Sequence, residues 1–376
     1  MGLTSTTGTM NDSTDTTCKS PRRRVLFNLV LAVGATIVAL CFAELVVRLL
    51  ALARPPVVIS QESRDLFIRS PIAGLHYELR PGFTGRAYGC EIKVNSHGMR
   101  SPERPVAKPA NVRRVLILGD SVVFGHGVGQ SLIFPAVLEK SLNDPTTAAA
   151  RVEVINTGVP GYNSEQERIC LREKGMAWQP DVVVVVAVAN DAEPPYDLQD
   201  NGSLWWTDPP AIYREVVERY IAGSGPRWFL RRHLRVFDLL DRALSRPYFL
   251  TRRYLDYLDG LYAPDSPGWR SAQAALTGMR DLCRARGIAF LMVHCPIPER
   301  PEPEILRRLR ERFADFAHRE GITYLDVCDA EASYPVKAII LSPLDRHPTP
   351  LGHRLIADAM APLIERELAR RQPVSP

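Results

Sequence analysis

The stretch VLILGDSVVFG (residues 115–125) runs through apolar residues to Gly119 and then presents Asp120 and Ser121. A strand that delivers a hydroxyl to its own tip offers a nucleophile on a rigid support. A nucleophilic serine also needs a base, a group that orients the base, and donors for the developing oxyanion. Asp345 and His347 stand in DRHPTPLGH, just before the last apolar stretch. Asn190 follows the valine-rich run DVVVVVAVA, and the turn TGVPGYNS contributes Gly158 and Gly161. One hydroxyl, one imidazole, one carboxylate and several amide donors make up the inventory of acyl transfer.

Other chemistries lack their residues. No C-x-x-C pair and no zinc-like Cys/His spacing occurs, and GHGVG at 125–129 is neither a dinucleotide fingerprint nor a P-loop. No metal or organic cofactor is implied. The G-x-S-x-G elbow is absent around Ser121. The 47 basic and 42 acidic residues of the 376-residue chain give a net charge of +5, too near balance to suggest a nucleic-acid partner. The seven cysteines read as buried free thiols. One bridge among Cys90, Cys170, Cys283, Cys295 and Cys328 stays open for an extracytoplasmic domain.

The elements that must position these groups follow from periodicity. RVLIL (114–118), VEVIN (152–156), DVVVVVAVA (181–189), IAFLMV (288–293) and TYLDV (323–327) are continuous apolar runs, the pattern of strands buried on both faces. Helical stretches lie at about 133–143, 164–177, 270–286, 303–319 and 350–370, with Gly287 and Gly321 where two of them should end. Strand–helix alternation of this kind predicts a doubly wound, flavodoxin-like α/β domain with a five-stranded parallel sheet. In such sheets ligands bind beyond the carboxyl ends of the strands, where Ser121, Gly161, Asn190, Asp345 and His347 all fall.

One connection is long. About 80 residues between Ala189 and Trp269 carry no buried-strand signal and read as a helical, aromatic-rich insertion at about 192–268. Its aromatic residues read chiefly as its own core. From Arg227 to Arg253 there are eight arginines against Asp238 and Asp241, with Leu230, Leu234, Phe237 and Leu244 at helical spacing. A solvated face over an apolar underside is the plain reading; contact with lipid headgroups or an acidic glycan is the sharper one. Outside the main site, His353 reads as a packing or capping residue, His294 as a strand end, and His126 as an exposed loop residue.

The N-terminus sets the compartment. Residues 1–24 read as a disordered cytoplasmic tail closing on Arg22, Arg23 and Arg24. VLFNLVLAVGATIVALCFA, from Val25 to Ala43, is 19 residues long with one polar interruption, Asn28, which suits a bilayer-spanning helix. Residues 25–50 are assigned to an uncleaved signal anchor, in preference to cleavage after ALA at 51–53 or lipidation at Cys41. Glu44 and Arg48 can snorkel to the far interface. The basic side stays in the cytoplasm, so the remainder faces the periplasm or the exterior. Residues 51–110 read as a membrane-proximal linker with small strands, and 111–370 as the catalytic domain.

At the site residues the sequence resembles the GDSL/SGNH hydrolase superfamily. GDS at 119–121, NTGVPG at 156–161, AND at 189–191 and DRHPTPLGH at 345–353 resemble its four blocks, in order, over some two thirds of the chain. YELRPG and VNSHGMRSPE upstream resemble the lead-in of membrane-anchored bacterial members. The resemblance implies Ser121 as nucleophile, His347 as base, Asp345 as its partner, and an oxyanion hole from the Ser121 and Gly161 amides and the Asn190 side chain. Three departures stand out: Ala189 replaces a common glycine, Asp345 lies two rather than three residues before His347, and HPTP replaces the frequent HPN.

The expectation is a membrane-anchored, extracytoplasmic serine hydrolase acting on esters, with O-acyl groups of a cell-surface glycan as substrate. An O-acyltransferase for a cell-surface polysaccharide would need the same residues, and an inactive glycan-binding homologue is the non-enzymatic alternative. The sequence names no protein partner.

Overall fold

The computed structural model describes residues 21–50, 65–145, 151–214, 225–246, 253–342 and 345–370. The tail expected at the N-terminus therefore lies outside the described residues up to position 20. The chain divides into two compact units, one of Met1–Arg54 with Ser224–Leu244 and one of Pro55–Gly223 with Ser245–Pro376.

The larger unit is built on a parallel sheet of β1 (Val112–Leu118), β2 (Arg151–Asn156), β3 (Val182–Ala187), β4 (Ala289–His294) and β5 (Thr323–Asp326). Its spatial order is β5-β4-β3-β1-β2, the doubly wound order in which the chain reverses direction beside β1. All pairs are parallel and in continuous register, for example Val115 opposite Val182 and Ala289 opposite Val182 on the other side. The sheet is apolar on both faces because helices cover both. Leu116 and Leu118 of β1 and Val183, Val185 and Ala187 of β3 join one core. Val115, Ile117, Val182, Val184 and Val186 point into the other, as the two-residue period of a strand requires.

Helices Ser164–Glu173, Pro267–Arg284 and Glu304–Arg319 cover the first face, and Phe134–Leu142 and Pro350–Ala369 the second. Gly287 and Gly321 adopt positive φ (67° and 62°) just past two of these helices, as their positions in the sequence lead one to expect. Charged side chains are buried in this framework as well. Arg114 on β1 is fully inaccessible, yet its guanidinium donates to Glu153 Oε2 (3.0 Å) and to the carbonyls of Pro105, Val106 and Trp178. Such full pairing is what makes a buried arginine tolerable.

Residues ahead of β1 join the same core. Two short hairpins, Phe67–Arg69 with Tyr77–Leu79 and Thr84–Ala87 with Cys90–Lys93, bury Leu66, Leu75, Tyr77, Leu79 and Ile92 against it. The long connection after β3 opens with a further hairpin, Tyr196–Leu198 with Leu204–Trp206, before its helical part. The six cysteines among the described residues are free thiols, so the bridge left open by the sequence is not formed among them.

In the smaller unit, helix Pro21–Leu49 contains a segment, Arg23–Leu49, that is long and apolar enough to cross a membrane, and its side chains are exposed along almost its whole length. Glu44 and Arg48, expected to snorkel, have specific partners instead. Glu44 accepts from the backbone N–H of Arg235 and Val236 (both 2.8 Å), at the start of helix Arg235–Arg246. Arg48 pairs with Glu44 (2.7 Å) and donates to the His233 carbonyl (2.8 Å) at the end of helix Pro226–His233.

Candidate active site

β1 ends at Leu118, and Gly119 turns the chain at φ 157° with no room for a side chain: a Cβ there would sit 2.2 Å from Val123 Cγ2. Asp120 then caps the short helix Ser121–Phe124, its Oδ1 accepting from the Val122 N–H (2.9 Å). The cap fixes Ser121 as the first helical residue, half-buried and facing outward from the sheet edge.

His347 arrives from the other end of the chain. A small antiparallel hairpin pairs Ile340–Ser342 with Asp345–Pro348. In an extended strand residues two apart share a face, so the D-x-H spacing sets Asp345 beside His347. His347 Nδ1 lies 2.6 Å from Asp345 Oδ1, and His347 Nε2 lies 2.7 Å from Ser121 Oγ. Arg346 between them bonds to Glu299 and to the Pro298 carbonyl. The two-residue spacing is thus accommodated by extended backbone. Ser121 Oγ also lies 3.1 Å from Asp120 Oδ2. The serine proton can go to only one of these acceptors at a time.

Burial alone would raise the pKa of Asp345, but His126 and His347 at its two oxygens outweigh it and hold the carboxyl well below the usual carboxylate range. His126 is the residue that sequence reasoning misplaced. Far from standing in solvent, it is sandwiched between rings: its centroid lies 4.1 Å from that of His347, nearly parallel at 16°, and 4.0 Å from that of Tyr88. Its Nε2 approaches Asp345 Oδ2 at 3.6 Å. Burial depresses its pKa, which favours the neutral ring, although Asp345 pulls the other way. Nothing in GHGVG signals this contact, because it is made by residues some 220 positions downstream.

The remaining sequence-derived residues border the same space. A cavity of about 790 Å³ is lined by Ser121, Gly161, Asn190, Asp345 and His347. Gly161 has φ 83°, and a Cβ there would meet Tyr77 Oη at 2.8 Å and the Tyr196 ring at 3.2 Å, so the turn needs glycine. Asn190 follows β3 and makes a long contact, 3.5 Å, from Nδ2 to the Tyr162 carbonyl. The turn around Gly161 is braced from upstream: Tyr77 Oη donates to the Pro160 carbonyl (2.7 Å) and Tyr162 Oη to the Tyr77 carbonyl (2.5 Å). Arg100, also buried, donates to the carbonyls of Phe124, Gly125 and Val128 around the His126 loop.

The insertion supplies the opposite wall. Tyr196, Leu204, Tyr213 and Tyr254 line the cavity, so these aromatics are more than an internal core. Behind them Glu193, 3% exposed, accepts from Trp206 Nε1 and Tyr213 Oη (both 3.1 Å). Burial pushes its carboxyl up to about 7, against the pull of those donors. The other two histidines play the parts expected of them. His353 is fully buried; its Nδ1 accepts from the Phe134 N–H (3.2 Å), and burial lowers its pKa to about 3. His294 ends β4, stacked on Phe313 and 3.8 Å from Asp326. Among the described residues, His126, Asp345 and His347 are the one group spaced to hold a metal ion. Their contacts with one another and with Ser121 account for the cluster without one.

The sequence model of the GDSL-like lipase/acylhydrolase family matches residues 117–355, and the chain belongs to that family. It is therefore an ester-bond hydrolase. Similar solved structures include a lipase/acylhydrolase from Enterococcus faecalis (15% identity, 70% of this chain and 100% of that one, TM-score 0.41). A lipolytic protein of the G-D-S-L family from Desulfitobacterium hafniense (14%, 66% and 98%, 0.39) and an acetylxylan esterase from Geobacillus stearothermophilus (15%, 68% and 94%, 0.38) are also similar. No curated protein matches the chain.

Proposed function

We propose that the protein is a membrane-anchored serine esterase that removes O-acyl groups from an extracytoplasmic glycan through an acyl-enzyme on Ser121. The observation that carries the reading is the unbroken chain Ser121 Oγ, His347 Nε2, His347 Nδ1, Asp345 Oδ1, with links of 2.7 and 2.6 Å, at the wall of a large cavity. His347 Nε2 takes the Ser121 proton as Oγ bonds to the ester carbonyl carbon. Asp345, held ionised, fixes the tautomer with the proton on Nδ1 and stabilises the imidazolium. The amides of Ser121 and Gly161 and the Asn190 side chain are the donors assigned to the oxyanion. Collapse breaks the carbon–alkoxide bond, and His347 returns its proton to the departing sugar oxygen. Water, deprotonated by His347, then cleaves the acyl–Oγ bond and restores the serine.

The aromatic wall supports a glycan as the alcohol, since sugar rings pack on aromatic faces while their hydroxyls stay solvated. The basic residues before Val25 and the apolar helix after them support an outward-facing catalytic unit. Mass spectrometry of Ser121 after brief exposure to an acetyl ester tests the mechanism: an acetylated serine is expected. Its absence under turnover conditions would sink the acyl-enzyme, and absence of any turnover would favour a glycan-binding role. Release of the acetyl group to water, rather than to added oligosaccharide, separates esterase from O-acyltransferase.

A further inference from the structure

The smaller unit contains a helix that leaves part of its apolar side uncovered while burying an acid. In the first two turns of Arg235–Arg246 the sequence divides cleanly: Val236, Phe237, Leu239 and Leu240 share one side, and Arg235, Asp238 and Asp241 the other. A helix of a water-soluble domain buries the first set. Here Asp238 is 3% exposed, whereas Leu240 is 54% and Leu239 37% exposed, and Val236 and Phe237 are half-buried. The neighbouring helix continues the pattern, with Phe229 at 56% and Leu234, at the junction, at 42%. Apolar side chains directed outward around a buried acid are stable where the surroundings are apolar.

The surroundings are indicated by what holds these helices. Their junction is joined to the end of the membrane-spanning candidate: Glu44 caps the free N–H groups of Arg235 and Val236, and Arg48 caps the His233 carbonyl. These are the backbone groups that a helix end leaves unsatisfied. A helix pair fastened at the point where the anchor leaves the bilayer sits at the height of the lipid headgroups. The stretch Pro226–Arg246 also carries six arginines, at 227, 231, 232, 235, 242 and 246, against two aspartates. That sign suits anionic headgroups.

We propose that Pro226–His233 and Arg235–Arg246 form an interfacial collar. They lie on the bilayer crossed by Pro21–Leu49, with Phe229, Leu234, Leu239 and Leu240 among the acyl chains and Glu44 and Arg48 as the latch. The proposal rests on the membrane-spanning reading of Pro21–Leu49 and commits to the phospholipid surface as the occupant.

The test uses the full chain in vesicles of phosphatidylcholine and phosphatidylglycerol. A single environment-sensitive fluorescent amino acid replaces Leu240, Ile37 in the anchor, or exposed Asp358 on the last helix of the larger unit. Probes at 37 and 240 should emit at shorter wavelength, be quenched by nitroxide-bearing lipid, and be several-fold less quenched by aqueous iodide than the probe at 358. Lipid quenching at 37 with iodide quenching at 240 overturns the collar and leaves the anchor standing. Iodide quenching at both overturns both. Protection at 240 that appears only on adding an acidic glycan, without lipid quenching, also overturns the collar. Glu44→Gln with Arg48→Gln should raise iodide quenching at 240 several-fold while leaving aryl-ester turnover unchanged; unchanged quenching removes the latch from the proposal.

Discussion

The two walls of the cavity are made in different ways. One is a row of strand ends: Ser121 after β1, Gly161 after β2, Asn190 after β3, and the hairpin bearing Asp345 and His347. Each side chain there is placed by backbone that the sheet holds rigid. The other wall comes from a single long connection whose aromatics pack on one another, Trp206 between Tyr196 (4.6 Å) and Tyr213 (4.0 Å). Behind it sits an acid, Glu193, whose charge the surroundings resist. In the mechanism proposed, the first wall meets a charge that appears during reaction. The second is organised to keep a charge away, and its shape rests on side-chain packing. Lesions on the first should therefore act on kcat, and lesions on the second on stability and on the fit of the alcohol.

That contrast is open to measurement. The largest effect is expected from Ser121→Ala, which should lower kcat on a short-chain aryl ester by about 10⁴- to 10⁶-fold with an unchanged melting temperature. Turnover near that of the parent would make the serine structural and dissolve the contrast. Asn190→Ala should come next, at about 10²- to 10³-fold in kcat with KM nearly constant. A rise in KM alone would move Asn190 from the reactive wall to substrate binding.

His126→Phe sharpens the picture within the reactive wall. It keeps a ring between Tyr88 and His347 but removes the approach to Asp345. A partly exposed contact of this length contributes about 1 kcal/mol, so a loss of roughly five- to tenfold in kcat is expected. A loss as large as that of His347→Ala would give His126 a direct part in proton transfer.

The smallest effect on rate, and the clearest on stability, should follow Glu193→Gln. The folded-state pKa of Glu193 is raised, to about 7, above its unfolded value. Between the unfolded pKa and about 7 the folded state holds the extra proton, so stability is greatest at the acid end and falls as pH rises through that window. The total is up to about 3 kcal/mol for a shift of this size. Thermal melts of Glu193→Gln should show a flatter dependence from about pH 5 to 7 than the parent. Identical slopes would show that this carboxyl is not destabilised by its cage.

The same contrast separates what was legible in the sequence from what was not. Val182–Val186 has no other use than a strand buried on both faces, and Gly119, Asn190 and Asp345–His347 interrupt apolar patterns where a purely packed domain would not. Local order carries that information, so the sheet, its helices and the grouping of the five site residues could be read directly. His126 could not be, because its neighbours Tyr88 and His347 meet it only in three dimensions. The cage around Glu193 was hidden for a related reason: a single acid among prolines and aromatics has no period. The insertion's opening hairpin, with three-residue strands, is too short to show alternation.

The segment ahead of the sheet has a consequence of its own. Tyr77 braces the turn that carries Gly161, and Arg100 braces the loop that carries His126, yet both precede the first residue matched by the family model. A gene shortened to begin at Val112 would encode every residue assigned to the chemistry and still leave two of its supports behind. One shortened to begin at Asp65 keeps them. A shortened form of this hydrolase that is to keep these braces therefore has to start some fifty residues before Ser121.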